Sequence, residues 1–331
     1  MNYIRALLSS GFGSLHEAKH WDLGFVQNLQ TRATYQDMTD RILSSLDFMR
    51  VCGMAEDSSV NSAPMFISHE GLQLGYEEAL TRAGEGYTGF YNLGAHFLWI
   101  GDRTRQLDHA HVEYFRGISN PIGVKVGPKT PPADLVPLIR TLCPDIDTEA
   151  QRGKVVLITR LGAGKVEELL PPLVRAVQAA GLQGYVVWTC DPMHGNTYKV
   201  EESGLKTRSF DDILSELRDT FAVHEAMKSH LGGVHFELTG ENVTECTGGP
   251  QALTEKELPQ QYTTQCDPRL NYAQGMEVAF LIAQRLQGEV TGDTASDGGS
   301  KSLVSDKLRM DTLRGHLSPP AEEAAAAAHG K

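Results

Sequence analysis

The sequence predicts an α/β protein of the (β/α)8 TIM-barrel type, with about six of the eight strands present and a helical segment in front. Three observations predict it. Short apolar, β-branched runs alternate with amphipathic stretches from about residue 64 onward. Such alternation means parallel strands joined by crossover helices, and units of about 30 residues suit a barrel. Polar side chains also collect just after the apolar runs, where a barrel gathers its chemistry at one mouth.

The expected strands are Pro64–Ser68, Phe90–Ile100, Ile122–Val126, Val155–Thr159, Tyr185–Thr189 and Val234–Leu238. Between them lie helix-like stretches at Arg103–Ile118, Pro132–Leu142, Val166–Ala180 and Phe210–Lys228, and Asn271–Leu286 closes the series. In front, Met38, Ile42, Leu46 and Met49 recur at helical spacing before a stop at Gly53, so residues 1–53 read as a helical segment. Residues 54–288 then form the partial barrel. Beyond them Gly, Asp, Ser, Thr and Ala dominate, and 289–331 reads as a disordered tail.

Composition limits the function. The 331 residues are 40% hydrophobic and 22% charged, ordinary values for a soluble globular chain. A formal net charge of −12 argues against a nucleic-acid or anionic-membrane binder. No apolar run approaches the roughly 20 residues that span a bilayer. The five cysteines are widely spread without a CxxC pair, which points to a reducing compartment. No targeting segment is visible at the N-terminus.

The densest stretch of chemistry is Tyr185–Thr197, where a strand runs into Cys190, Asp191, His194 and Asn196. Two groups separate among the strand ends. Arg103, Lys125 and Arg160 are cations on three different strands, a clamp for a phosphorylated, carboxylated substrate. His194, Glu237 and Asp267 are an imidazole and two carboxylates which, with one more donor, would hold manganese, cobalt, zinc or iron. Together they suggest carbonyl chemistry on sugar phosphates. Singly, such residues are more often solvated, salt-bridged or capping side chains. Gly162-Ala163-Gly164-Lys165 is not a P-loop, because the first glycine and the hydroxyl residue after lysine are missing. His235-x-Glu237 lacks the PCxxC of the zinc deaminases.

Longer motifs add a sharper expectation. The stretches 99–106 (WIGDRTRQ), 120–128 (NPIGVKVGP), 190–197 (CDPMHGNT), 204–208 (GLKTR), 240–246 (GENVTEC) and 266–271 (CDPRLN) resemble the class II (plant-type) 3-deoxy-D-arabino-heptulosonate 7-phosphate synthases. The resemblance runs from near Met1 to about Leu286. It implies condensation of phosphoenolpyruvate with erythrose 4-phosphate and water, the first step of the shikimate pathway to aromatic amino acids. It implies that His194, Glu237 and Asp267 ligate a divalent metal, Mn2+ with Co2+ second. It places Trp99, Asp102, Arg103, Lys125 and Arg160 at phosphoenolpyruvate. In such a reaction Lys125 is the candidate proton donor to the new alkoxide, with Asp267 or a metal-bound water as runner-up, and a purely electrostatic role for Lys125 is the even alternative. A homo-oligomer in the cytoplasm, or in a plastid stroma if a leader is missing, goes with it.

The sequence departs from the family pattern twice. Asp102 stands where most members carry glutamate. The family's two leading strands, with a metal-binding cysteine in Gly-Gly-Asp-Cys, an arginine for phosphoenolpyruvate and a Lys-Pro-Arg-Ser segment for erythrose 4-phosphate, have no counterpart here. The expectation is a chain lacking its N-terminal part, whose alternative role is that of a catalytically incomplete fragment or a non-catalytic binding or regulatory subunit.

Overall fold

Parallel pairing of β-branched runs builds the fold. The computed structural model describes residues 2–7, 18, 20–53, 64–84 and 88–291. Two helices lead, α1 (Asn2–Leu7) and α2 (Leu29–Val51). The second starts where the Asn28 side chain accepts from the backbone N–H groups of Gln30 and Thr31, at 2.9 and 3.0 Å. Tyr35 of α2 is buried together with Leu23, Val26 and Phe280.

There follow β1 (Ser68–Glu70), α3 (Leu74–Ala79), β2 (Thr81–Ala83), β3 (Phe90–Asn92), β4 (Phe97–Ile100), α4 (Ala110–Arg116), β5 (Ile122–Val126) and α5 (Pro132–Leu142). The second half is β6 (Val155–Thr159), α6 (Val166–Ala179), β7 (Val186–Cys190), β8 (Thr197–Lys199), β9 (Lys206–Arg208), α7 (Phe210–Ala226), β10 (Leu231–Val234) and α8 (Tyr272–Thr291). Six strands form one parallel sheet in the order β1-β4-β5-β6-β7-β10. Helices α4 to α7 pack each against the next.

Every residue of β5 is buried, including Lys125, so this strand is covered on both faces as a central parallel strand requires. Ile122, Val124, Val155, Leu157 and Trp188 join Leu135, Leu138, Leu170 and Val174 from α5 and α6 in the main core. Pro132 opens α5, where its missing N–H has no helical acceptor to lose. Ser209 caps α7, accepting from the N–H of Asp212, and Asp211 and Asp212 face the positive end of that helix.

The structure corrects several expected elements. The first strand lies at Ser68–Glu70 rather than at the expected Pro64–Ser68. The expected run Phe90–Ile100 is two strands. The first of them, β3, pairs antiparallel with β2 outside the main sheet. A second hairpin, β8 with β9, interrupts the path from β7 to α7. The last strand is Leu231–Val234, three residues earlier than expected, which leaves Glu237 in the loop beyond it. Helix α4 is shorter than expected because Asp102 to His109 form turns. Helix α8 runs to Thr291, past the expected boundary at 288. The rest of the expected tail, 292–331, lies outside the described residues. No helix among the described residues is long and apolar enough to cross a membrane.

Candidate active site

The in-register ladder decides which side chains meet. Val126 pairs with Thr159, Thr159 with Cys190, and Cys190 with Val234, so four strands end side by side. Backbone bonds carry the alignment one residue further, from Arg160 N to Val126 O at 3.0 Å, from Asp191 N to Thr159 O at 2.7 Å and from His235 N to Cys190 O at 2.8 Å. The chemistry-bearing residues follow directly.

His194, Glu237 and Asp267 converge, with one ligand atom from each within 4.8 Å of the others. His194 Nε2 faces Glu237 Oε1 at 3.2 Å, while its Nδ1 lies 2.7 Å from Asp191 Oδ2. Burial would lower the imidazole pKa, but the hydrogen bonds to Asp191 and Glu237 raise it to about 9. Glu237 and Asp267 both sit below the usual carboxylate range. Against the upward push of burial, His194 and Arg208 hold Glu237 down, and Lys206 holds Asp267 down.

Those two cations come from the β8–β9 hairpin. Alternation along a strand puts Lys206 and Arg208 on one face. Lys206 Nζ is 3.0 Å from Asp267 Oδ1, and the fully buried Arg208 donates to Glu237 and to the carbonyl of Pro268. Its Nε donates to Thr197 Oγ1 at 2.8 Å. The loop that presents Asp267 is fixed by Glu245, which accepts from the N–H groups of Thr263, Thr264 and Arg269 and pairs with the Arg269 guanidinium.

Beside this cluster stand the expected substrate cations. Lys125 is buried in an ion pair with Asp191, its Nζ 5.9 Å from the centroid of the Trp99 ring. Trp99 also packs edge-on against His235, at 5.1 Å between centroids. Burial and the nearby charge of Lys125 push His235 down to about 4, so this imidazole stays neutral. Arg160 donates Nη2 to the carbonyl of His194 at 2.7 Å and Nη1 to Asp102 at 3.3 Å.

Asp102 is a bracket between strand ends. It accepts from Arg105 Nε at 3.0 Å and from Gly127 N at 3.1 Å. A Cβ on Gly127 would stand 2.4 Å from Asp102 Oδ2, so only glycine lets the carboxylate in. Arg103, by contrast, is exposed and has no ion-pair partner among the described residues. Of the three expected clamp cations, the structure engages Lys125 and Arg160 and leaves Arg103 at the rim.

A second tier holds the loops that carry these groups. Gly195 passes so close to Gly162 that a Cβ would lie 2.6 Å from the latter's nitrogen. Glu216 of α7 reaches both loops, accepting from Leu161 N at 2.6 Å and from Asn196 Nδ2 at 2.8 Å. Burial raises its pKa to about 7.

Residues 1–283 match the class-II DAHP synthetase family. The chain belongs to that family. As a class-II DAHP synthetase family member it is 50% identical, over 87% of its length, to a Neurospora crassa protein named phospho-2-dehydro-3-deoxyheptonate aldolase. It is 47% identical over 87% of its length to a protein of that activity name from Mycolicibacterium smegmatis, and 43% identical over 86% to one from Streptomyces coelicolor. The chain spans about three-fifths of the length of these relatives, 62%, 61% and 61% respectively.

An imidazole and two carboxylates with ligand atoms within 4.8 Å of one another suit the divalent cation this family uses. The donor set is the mixed nitrogen and oxygen type that takes manganese, iron, cobalt or zinc. Sequence reasoning set Asp191 among the strand-end residues without a role, and it missed Lys206, Arg208, Arg105 and Glu245 as site residues. The Lys206-x-Arg208 alternation within the 204–208 motif was the signal for two of them.

Proposed function

We propose that the chain carries the active site of a 3-deoxy-7-phosphoheptulonate synthase, joining phosphoenolpyruvate, erythrose 4-phosphate and water to give DAHP and phosphate at the head of the shikimate pathway. The observation that carries this reading is the convergence of His194, Glu237 and Asp267 beside the strand-end cations Lys125 and Arg160. The names of the relatives support it. In this reading the six-stranded sheet is part of a (β/α)8 barrel with its strand ends at the mouth. The enzyme is a homo-oligomer of the cytoplasm or a plastid stroma.

His194, Glu237 and Asp267 would hold the cation, Mn2+ in first place and Co2+ in second. When bound, it supplies Lewis acidity toward the aldehyde oxygen of erythrose 4-phosphate. Arg160 and Lys125 bind the phosphate and carboxylate of phosphoenolpyruvate, Arg103 closes the rim, and Trp99 gives the pocket an apolar wall. Asp102 acts on substrate indirectly, by fixing Arg160.

So held, C3 of phosphoenolpyruvate forms a bond to the aldehyde carbon, and the alkene electron pair is consumed. Water adds at C2 and gives up both its protons, one to the departing phosphate and one to restore Lys125, as the C2–O bond to phosphate breaks and leaves a ketone. Lys125 gives its proton to the new alkoxide. Asp267 is the weaker candidate for this transfer, because Lys206 holds it as a carboxylate with no proton to give at neutral pH.

The test is phosphate release from phosphoenolpyruvate by purified, Mn2+-loaded protein. Turnover that requires erythrose 4-phosphate and collapses in K125M and R160A is expected. A folded, Mn2+-loaded chain with no turnover would leave the non-catalytic binding subunit as the better account.

A further inference from the structure

Asp191 is fully buried, and its carboxylate has no unused face. Oδ1 accepts from the backbone N–H groups of Met193 at 3.0 Å and His194 at 3.1 Å. Oδ2 takes both Lys125 Nζ and His194 Nδ1, the latter at 2.7 Å. Its own N–H donates to Thr159 O at 2.7 Å, which ties it to the end of β6. A carboxylate can only accept, so the imidazole nitrogen facing it must carry the proton. By the same rule Nε2, which faces the Glu237 carboxylate, carries a proton until a cation displaces it, and with Nδ1 held by Asp191 it is the nitrogen left to ligate.

We propose that Asp191 is a positioning residue that commits His194 Nε2 to the cation and, through the same oxygen, fixes the separation between that ligand and Lys125. The proposal rests on reading His194, Glu237 and Asp267 as a metal site, and it adds how two halves of the site are locked together. A buried carboxylate that merely neutralised Lys125 would have no reason to grip the side chain and the backbone of His194 as well.

Asp191→Asn separates these roles. The amide oxygen still serves the two backbone N–H groups, but an NH2 now faces Lys125 and Nδ1. His194 must accept at Nδ1 and carry its proton on Nε2, which removes it as a ligand. Mn2+ binding to the full chain, followed by the electron paramagnetic resonance of free Mn2+, should weaken about 10- to 100-fold. The spectrum of 15N-histidine-labelled protein loaded with diamagnetic Zn2+ gives an independent reading. The His194 signals, assigned by their loss in H194Q, should show a protonated Nδ1 and a metal-bound Nε2. This measurement uses the unmodified chain and decides the matter even if D191N does not fold. Folded D191N with unchanged Mn2+ affinity, or Zn2+ on Nδ1 of the unmodified chain, overturns the role given to Asp191. An unmodified chain that binds neither Mn2+ nor Zn2+ overturns the metal reading itself, and Asp191's role with it.

Discussion

Arg208 is fully buried against Glu237, so one of the two candidate carboxylate ligands is set by a cation that solvent does not reach. Removing one partner of such a pair strands the other. Glu237→Ala should destabilise the fold by about 3–5 kcal/mol, because the buried guanidinium loses its counter-charge. Glu237→Gln keeps an acceptor oxygen for Arg208 and should cost clearly less, while both variants lose Mn2+ affinity. Urea midpoints of the two variants without metal check the difference. Equal midpoints would mean that the pair does not hold the fold here.

Gly127 is the second lever, since its missing side chain is the space Asp102 occupies. Gly127→Ala should expel the carboxylate from between Arg105 and Arg160 while leaving β5 in the sheet. In the proposed enzyme, misplacing Arg160 by about 1 Å can cost up to 100-fold, so the KM for phosphoenolpyruvate should rise at least about tenfold at nearly unchanged thermal stability. An unchanged KM would show that Arg160 keeps its place without Asp102.

How much of this was legible beforehand follows from what each residue depends on. Lys125 and Arg160 could be placed because β5 and β6 are continuous apolar runs whose ends announce themselves. Helix α5 appears at its expected bounds because Pro132 opens it and apolar residues repeat along it. The two hairpins were not legible. Each has strands of three residues, too short for a period-two pattern to show, and β8–β9 carries lysine and arginine where a strand signal wants apolar side chains. Asp191 was visible as chemistry, but its position between Lys125 and His194 depends on the pairing of three strands, which no single segment encodes. Glu245 and Arg269, 24 residues apart in sequence, are of the same kind.

The docking of the N-terminal helix gives a prediction independent of any activity. Tyr35 of α2 stacks on Phe280 of α8, with 4.2 Å between ring centroids and 7° between planes. Tyr35→Ala removes a buried aromatic ring and should cost about 3–5 kcal/mol. If α2 opens locally, limited proteolysis should cut within 29–51 before the sheet unfolds. Tyr35→Phe keeps the stack and loses only the hydroxyl's contact with Glu277, so it should stay near the unmodified chain.

His224 gives the pH dependence of stability a definite sign. It lies buried on α7 beside Trp188, its Nδ1 3.0 Å from Ser229 Oγ and its Nε2 without a partner among the described residues. Burial, and then the charge of His230, lower its pKa from 6.5 to about 4. The unfolded chain therefore binds a proton between pH 6.5 and 4 that the folded chain refuses. The stabilising contribution is complete above pH 6.5 and is lost as pH falls toward 4, amounting to about 2–3 kcal/mol over that window. His224→Leu, which cannot titrate, should flatten this part of the stability profile, seen as a smaller drop in urea midpoint from pH 7 to pH 5. A variant with the full drop would place the acid sensitivity elsewhere.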